Sequence, residues 1–405
     1  MAKKNYIAGL DIGSSKICAA VGNVNINGQV EVAGIGTAPA RGFSLGAVSD
    51  LSLASESIDK AISVAESQSG AGTYRVFVAV INPDIGIINA LGSSTIADKE
   101  NEINQRDIHR AMASARDTAI PLERQVIHTV NLGYSLNGQR GIKDPLGLYG
   151  TRLNVNLNLI TSPYALLQNL SKAVSAAGLE IEGVCPASVA TGMSVLKEEE
   201  TQDGVVLADV GMGLTEVSIY QNGALRELHT MTTGMAAITQ HIAAHFRIPE
   251  DTAESIARTY LCFPCESVSA TEKISVRTNY EETAILRREL CDVAGWKLKE
   301  IFSTIKDKID SYNFGKAPYS IVLTGGLSLV DGAAEAAGEY FGSSVRLGYS
   351  RNVMGSLKNI TNPTYSSAIG LLRYAVIRRS IIERPSGNFV SRTVSRIKEL
   401  YREYF

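Results

Sequence analysis

The residues with the clearest chemical potential come as a matched pair of turns. Tyr6-Ile7-Ala8-Gly9-Leu10-Asp11-Ile12-Gly13-Ser14-Ser15-Lys16-Ile17 recurs in outline as Val205-Val206-Leu207-Ala208-Asp209-Val210-Gly211-Met212-Gly213-Leu214-Thr215-Glu216-Val217. In each copy an apolar run enters an Asp-x-Gly turn and leaves through a second apolar run. Each is then followed by an Asn-Gly pair, Asn27-Gly28 and Asn222-Gly223, a strong short-range signal for a hairpin. At such a tip, small residues leave backbone N–H groups open to close approach by a phosphate oxygen. One turn of this kind reads as simple chain reversal. Two in register, facing each other across a cleft, could grip a polyphosphate from both sides. A third glycine turn, Thr324-Gly325-Gly326, follows the apolar run Tyr319-Ser320-Ile321-Val322-Leu323. There the missing side chains would let the backbone lie against a flat ligand such as an adenine ring.

The chain that must position these turns has 405 residues, enough for roughly two to four compact units with cores of their own. Hydrophobic residues at 45% and charged residues at 20% exclude wholesale disorder and fibrous repeats. With 39 Lys+Arg against 41 Asp+Glu, a net charge of -2 argues against nucleic acid as a partner. Cys18, Cys185, Cys262, Cys265 and Cys291 are odd in number and too sparse for a disulfide framework, which fits a reducing cytosol. Cys262-Phe263-Pro264-Cys265 has redox spacing but lacks a thioredoxin-like strand-then-helix setting and a second pair for zinc. Met1-Ala2-Lys3-Lys4 leads into a strand rather than an apolar leader, so no signal peptide is predicted. No run of about 18 apolar residues is present, so contact with a bilayer would be peripheral.

Between the two halves the pattern is α/β. Ser162-Pro163 reads as a cap and first-turn proline of a helix striped by Leu166, Leu167, Leu170 and Val174 and ended by Gly178. Leu153, Val155, Leu157 and Leu159 alternate with asparagines, the period of a strand with one buried face. With a helix expected over Arg106–Ala119, residues 82–162 suggest a small α/β insertion. Residues 247–310 read as mainly helical, with Leu286, Leu290, Val293, Leu298, Ile301, Ile305 and Ile309 near helical spacing, and suggest a second inserted unit. His241 and His245 would share a helix face, but Ile242 stands where a zincin needs its glutamate, so two ordinary polar histidines are the expectation.

The C-terminal end differs in character. Residues 378–405 carry seven basic side chains and three acidic ones, a balance of +4 against -6 for the remainder. After the breaker Pro385-Ser386-Gly387-Asn388, the segment Phe389 to Phe405 is amphipathic: Val390, Val394, Ile397, Tyr401 and Tyr404 form a stripe widened by Leu400, Phe389 and Phe405. Arg392, Arg396, Lys398 and Arg402 flank that stripe, a composition suited to the headgroup boundary of anionic lipid. Docking of this helix on the protein's own core is the competing reading.

Taken together, the paired Asp-Gly turns and the Thr324-Gly325-Gly326 turn resemble the phosphate and adenosine motifs of the actin, sugar-kinase and heat-shock chaperone superfamily. Gly141 to Leu153, Arg288-Glu289-Leu290 with Glu300-Ile301-Phe302, and Asn362 to Leu371 resemble the FtsA family of bacterial actin-like cell-division proteins, from residue 6 to the C-terminus. The resemblance implies a duplicated actin-like, ribonuclease H-like α/β fold with a nucleotide cleft between two lobes. It implies one subdomain from 1–81, 163–200 and 363–380, a family-specific insertion at 82–162, a third subdomain from 201–246 and 311–362, and a fourth at 247–310. A linker at 381–388 and the membrane-targeting helix 389–405 would follow.

If carried over, the family's site puts Gly13, Ser14, Ser15 and Lys16 on the phosphates of ATP from one side and Gly211, Gly213, Thr215 and Gly234 from the other. Asp11 and Asp209 would face Mg2+ through its waters. Glu254 and Arg258 would lie near ribose and base, and Gly325 and Gly326 under the adenine. Met212 and Leu214 add bulk where relatives carry glycine and threonine, and Ala257 stands where a lysine is common. Only Ser188 in Val184–Val189 offers a polar group to an attacking water, so slow or absent hydrolysis is expected, with nucleotide acting as an assembly ligand. The implied partners are the C-terminal peptide of FtsZ, received near Arg287 and Arg288, further copies of the chain in a head-to-tail filament, anionic membrane lipid and later division proteins, all at the cytoplasmic face of the bacterial membrane. A PilM-like pilus adaptor, a phosphotransferase using the same cleft and a nucleotide-blind scaffold remain open at this stage.

Overall fold

The computed structural model describes residues 6–25, 29–97, 101–117, 120–277, 282–315, 318–355, 357 and 360–382. The Asn27-Gly28 turn, residues 383–388 of the expected linker and the expected helix 389–405 lie outside the described residues.

The sequence duplication is a duplication of structure. In the first lobe, strand Ile7–Ile12 pairs antiparallel with Lys16–Val24, from Ile7↔Gly22 to Ile12↔Ile17, and parallel with Arg75–Val80 on its other side. In the second, Val205–Val210 pairs antiparallel with Thr215–Gln221, from Val205↔Tyr220 to Val210↔Thr215, and parallel with Ser320–Gly325. The leading strands share one burial pattern, covered throughout except at the aspartate next to last. Burial on both faces explains why each reads as an unbroken apolar run rather than an alternating one. Six strands make the first sheet and five the second. The Asn222-Gly223 pair turns the hairpin of the second lobe with φ of 55° and 74°, the doubly positive geometry of a type I′ turn.

The insertion is a four-stranded antiparallel sheet, ordered Gly86–Thr95, Arg152–Pro163, Arg124–Leu136 and Gln139–Ile142. Leu153, Val155, Leu157 and Leu159 pack there with Ile108, Ala111 and Ala115 of helix Gln105–Arg116 in a separate core. Asn104 caps that helix through a reciprocal pair with Asp107. The two main cores are larger. The first runs from the Ile7–Ile12 sheet to Val205, Leu207 and Val322, which ties the lobes together; the second fills the far lobe beneath helices Met235–Phe246, Glu250–Tyr260 and Arg287–Ser311. Helix Ser366–Ile382 crosses the first core and lies so close to helix Ala187–Val195 that a methyl added at Gly370 would meet the Ala190 carbonyl at 1.8 Å.

Three local expectations need correction. Ser162 and Pro163 are the last residues of a strand, paired with Gln125 and Arg124, and helix Tyr164–Ala176 begins after them without a side-chain cap. Pro163 itself keeps extended backbone, with ψ of 133°, and stays in register with Arg124, so the helix starts one residue too late for Ser162 to cap it. The 247–310 stretch also contains a hairpin, Lys273–Arg277 with Glu282–Leu286, so Leu286 ends a strand and the long helix starts at Arg287. Lys273-Ile274-Ser275-Val276-Arg277 alternates strictly, a period-2 signal hidden among helical neighbours. Helix Gln105–Arg116 is shorter than the expected Arg106–Ala119, and residues 118–119 lie outside the described residues.

Gly370→Ala is expected to lower the thermal midpoint, since overpacking a close helix contact costs about 1–3 kcal/mol. Gly72→Ala, whose methyl meets nothing within 4 Å, should leave it unchanged. Paired melting curves check both, and equal midpoints for all three proteins would contradict the close packing.

Candidate functional site

Both turns close with the same hydrogen bond. The Gly13 N–H donates to the Lys16 carbonyl at 3.1 Å, and the Gly211 N–H donates to the Leu214 carbonyl at 2.9 Å. A Cβ at Gly13 or Gly211 would press on that same carbonyl, at 3.0 and 2.9 Å, so only glycine keeps the turn tight. The tips face one another: a Cβ built on Gly213 would stand 3.1 Å from Cβ of Ser14. The cleft they border has a volume of about 580 Å³.

The structure brings most of the expected residues to this cleft. Asp11, Gly13, Ser14, Ser15 and Lys16 line it from the first lobe, and Asp209 and Gly211 from the second. Gly325 and Gly326 join them, as do Glu254 and Arg258, already paired at 2.5 Å on helix Glu250–Tyr260. Gly325 has a φ of 79°, and a Cβ there would lie 2.3 Å from Oδ1 of Asp209, so the third turn needs glycine for both conformation and space. Met212, Leu214 and Ala257 also reach the wall, where they supply apolar surface.

Thr215 and Gly234 serve the site from behind. Thr215 is fully buried and its hydroxyl donates to the Thr233 carbonyl at 2.8 Å, so it offers nothing to the cleft; the expectation that it holds phosphate is corrected. Gly234 lets helix Met235–Phe246 start directly beneath the second tip, with Met235 and Ala236 N–H groups donating to the Gly211 and Met212 carbonyls at 2.9 and 2.8 Å. A Cβ on Gly234 would collide with those same carbonyls, at 2.5 and 2.6 Å.

The electrostatics are those of negative charge held in a dry place. Burial pushes the Asp11 carboxyl up to about 6 against the pull of Lys16, and burial together with Asp11 pushes Asp209 up to about 7. Burial lowers the Lys16 ammonium. Carboxylates so short of compensating charge fit a hard divalent cation, which accepts oxygen ligands and keeps its waters. Behind them lies Glu216, directly across the strand pair from Asp209, nearly inaccessible and raised well above the ordinary carboxylate range, first by burial and then by Asp209. Its only signal in the sequence is an ionisable residue inside an apolar strand. Asn362, Thr364, Tyr365 and Ser367 line the cleft as well, and the turn motifs give no hint of them.

Lys16 Nζ donates to Oγ1 of Thr364 at 2.5 Å and stands 4.3 Å from the centre of the Tyr365 ring. Ser188 is buried with its hydroxyl unpartnered, and its neighbour Ala187 is the residue exposed to the cleft. Arg287 is engaged with Glu272 and the Tyr260 carbonyl, and neither it nor Arg288 lines the separate groove of about 350 Å³ formed around Phe263, Trp296, Lys299, Phe302 and Tyr340. His245 pairs with Glu289, and among the described residues no three ionisable or sulfur ligands converge to hold a metal.

Comparison with known proteins agrees with this geometry. Residues 84–161 match the family model "SHS2 domain inserted in FTSA", and residues 206–370 match "Cell division protein FtsA". The cell division protein FtsA of Pseudomonas aeruginosa is 35% identical over 92% of this chain and 90% of its own. That of Neisseria meningitidis is 30% identical over 96% of this chain and 94% of its own. Among solved structures, the PilM–PilN type IV pilus biogenesis complex superposes with a TM-score of 0.65 at 15% identity, covering 92% of this chain and 99% of that one. MreB5 of Spiroplasma citri bound to ADP does so with a TM-score of 0.55 at 13% identity, covering 95% of this chain and all of that one. Duplicated lobes, an inserted sheet and relatives matched along almost the whole length lead to one conclusion: the chain belongs to the FtsA family of actin-like cell division proteins.

Proposed function

We propose that the protein binds ATP with magnesium between its lobes, assembles head to tail on the cytoplasmic face of the bacterial membrane, and tethers FtsZ there. The observation that carries the nucleotide reading is the meeting of two glycine turns, Gly13–Lys16 and Gly211–Leu214, beside the half-buried carboxylates of Asp11 and Asp209. Ser14, Ser15 and Lys16 would take phosphate oxygens from one lobe and the Gly211 turn from the other. Gly325 and Gly326 would lie under the adenine, with Glu254 and Arg258 at the ribose. Asp11 and Asp209 would hold Mg2+ through its waters, and the metal would offset the phosphate charge.

This chain's own groups orient and screen the nucleotide rather than attack it. Among the described residues the carboxylates that line the cleft are Asp11, Asp209 and Glu254, with Glu216 behind Asp209 and raised well above the ordinary carboxylate range by burial. Such a cleft is better suited to reporting occupancy than to fast turnover. With Asp11 and Asp209 facing the metal's waters and Glu254 at the ribose in this reading, no further carboxylate in the described lining is left to take a substrate proton, which weighs against phosphotransfer.

Residues 389–405 supply the anchor in this reading. One amphipathic helix with four flanking cations binds anionic lipid modestly, at about 1 kcal/mol per basic residue beyond its buried apolar area. A filament displaying many such helices gains avidity that a monomer lacks. Head-to-tail contact between identical subunits is heterologous and open-ended, as a filament requires. For FtsZ, the groove around Trp296, which is 72% exposed, offers apolar surface, with Lys299 set among Glu266, Asp292 and Glu339. An apolar peptide face fits that surface, and any acidic residues of the peptide would have to lie toward Lys299 and Arg288 rather than along the whole groove.

Lys16→Ala should weaken ATP binding about ten- to hundred-fold, the loss of a charge-assisted contact. Calorimetric titration measures it, and unchanged affinity would refute the assignment of the first turn. In a sedimentation assay with anionic vesicles, the full chain should pellet with lipid and a chain lacking residues 389–405 should stay in the supernatant. Equal pelleting of the two would remove the anchor.

A further inference from the structure

The turn before the last described helix sits in the cleft wall with its polar groups arranged in series. The side chain of Asn362 accepts from the Thr364 N–H at 3.0 Å and from the Thr364 hydroxyl at 2.9 Å. With its proton committed to Asn362, the Thr364 hydroxyl can only accept, and it accepts from Nζ of Lys16 at 2.5 Å. The Tyr365 ring takes the same ammonium at 4.3 Å. Lys16, the cation best placed for phosphate, is therefore held against the wall by a neutral hydroxyl and a ring, with Asp11 and Asp209 attracting it through space whichever partners it takes. The residue after Tyr365 begins helix Ser366–Ile382, which leads the chain toward residues 383–405.

A neutral hydroxyl and an aromatic face are weaker partners for an ammonium than a phosphate oxygen, since charge-assisted hydrogen bonds are roughly twice as strong as neutral ones. We infer that Thr364 and Tyr365 are nucleotide-sensing residues: they compete with the phosphates of a nucleoside triphosphate for Lys16, so that occupancy is read at the start of helix Ser366–Ile382. The inference rests on the nucleotide reading of the cleft. It assigns a role to two residues outside the glycine turns and makes Lys16 a switch with two alternative sets of partners.

The arrangement also sets the sign of the effect. Lys16 must leave Thr364 and Tyr365 before it can bind phosphate, so their grip subtracts from nucleotide affinity. The helix they precede is firmly placed. Arg373 donates to the Met193 carbonyl at 2.6 Å, and Arg379 pairs with Glu182 through two bonds at 2.7 and 2.6 Å. A change in the turn is therefore met by a rigid element rather than absorbed by loop.

The test uses the full chain with Mg-ATP, read by calorimetry and by hydrogen exchange over residues 366–382. The wild type should show an exchange change on adding nucleotide. Thr364→Val, which keeps the shape but loses the acceptor, should bind ATP about five-fold tighter, the fold-change of one net hydrogen bond, and lose the exchange change. Thr364→Ser should restore both. Tyr365→Leu, which leaves the hydroxyl pair intact, should shift affinity in the same direction and serves if the valine variant does not fold. Unchanged or weaker binding by these variants, with the exchange change still present, would overturn the sensing role while leaving the nucleotide site standing. Absence of ATP binding by the wild type would overturn the site itself and this inference with it.

Discussion

Much of the molecule is arranged so that two hairpin tips can meet without side chains between them. A β-carbon on Gly213 would press on Cβ of Ser14 at 3.1 Å, and Gly13 and Gly211 each sit against the carbonyl that closes their own turn. The requirement propagates outward. Helix Met235–Phe246 can start beneath the second tip only because Gly234 is bare, and Gly325 must be bare because Asp209 points at it. Sheets buried on both faces hold the tips in register, since a slip of one residue would turn each aspartate to the opposite side of its strand.

Holding carboxylates in such a place is expensive, and the cost indicates what the cleft is for. Glu216 is buried and Asp11 and Asp209 are half-buried, and desolvation is the leading cause of each upward shift. An apolar trio at those positions would suit the cores on either side better. The charge is retained where a cation and a polyphosphate would offset it, while Glu216, one layer deeper, accepts a hydrogen bond from Thr230 at 3.4 Å. Met212 and Leu214 show that this cleft tolerates apolar bulk at the second tip, on either side of the Gly213 that faces Ser14.

How much could be read from the sequence follows the range of the physics involved. The turns are legible because each is local: apolar strand, aspartate, glycine, strand, repeated. The insertion is legible through the alternation of Leu153 to Leu159 with asparagine. The hairpin Lys273–Leu286 is not, since five-residue strands next to a long helix give too short a window for the period to stand out. Thr215 looks like a phosphate ligand by position, and only tertiary structure shows its hydroxyl turned to Thr233. Thr364 and Tyr365 lie far from Lys16 along the chain, and no spacing rule connects them. For the amphipathic pattern of 389–405 the sequence itself is the whole of the information.

The central claim is that both tips hold one triphosphate, and a crystal structure of the protein grown with ATP and magnesium tests it most directly. The account predicts phosphate oxygens within hydrogen-bond reach of the Gly13–Lys16 and Gly211–Leu214 turns at once, with the metal's waters between Asp11 and Asp209. A nucleotide seated elsewhere, or touching one turn while the other points away, would contradict it.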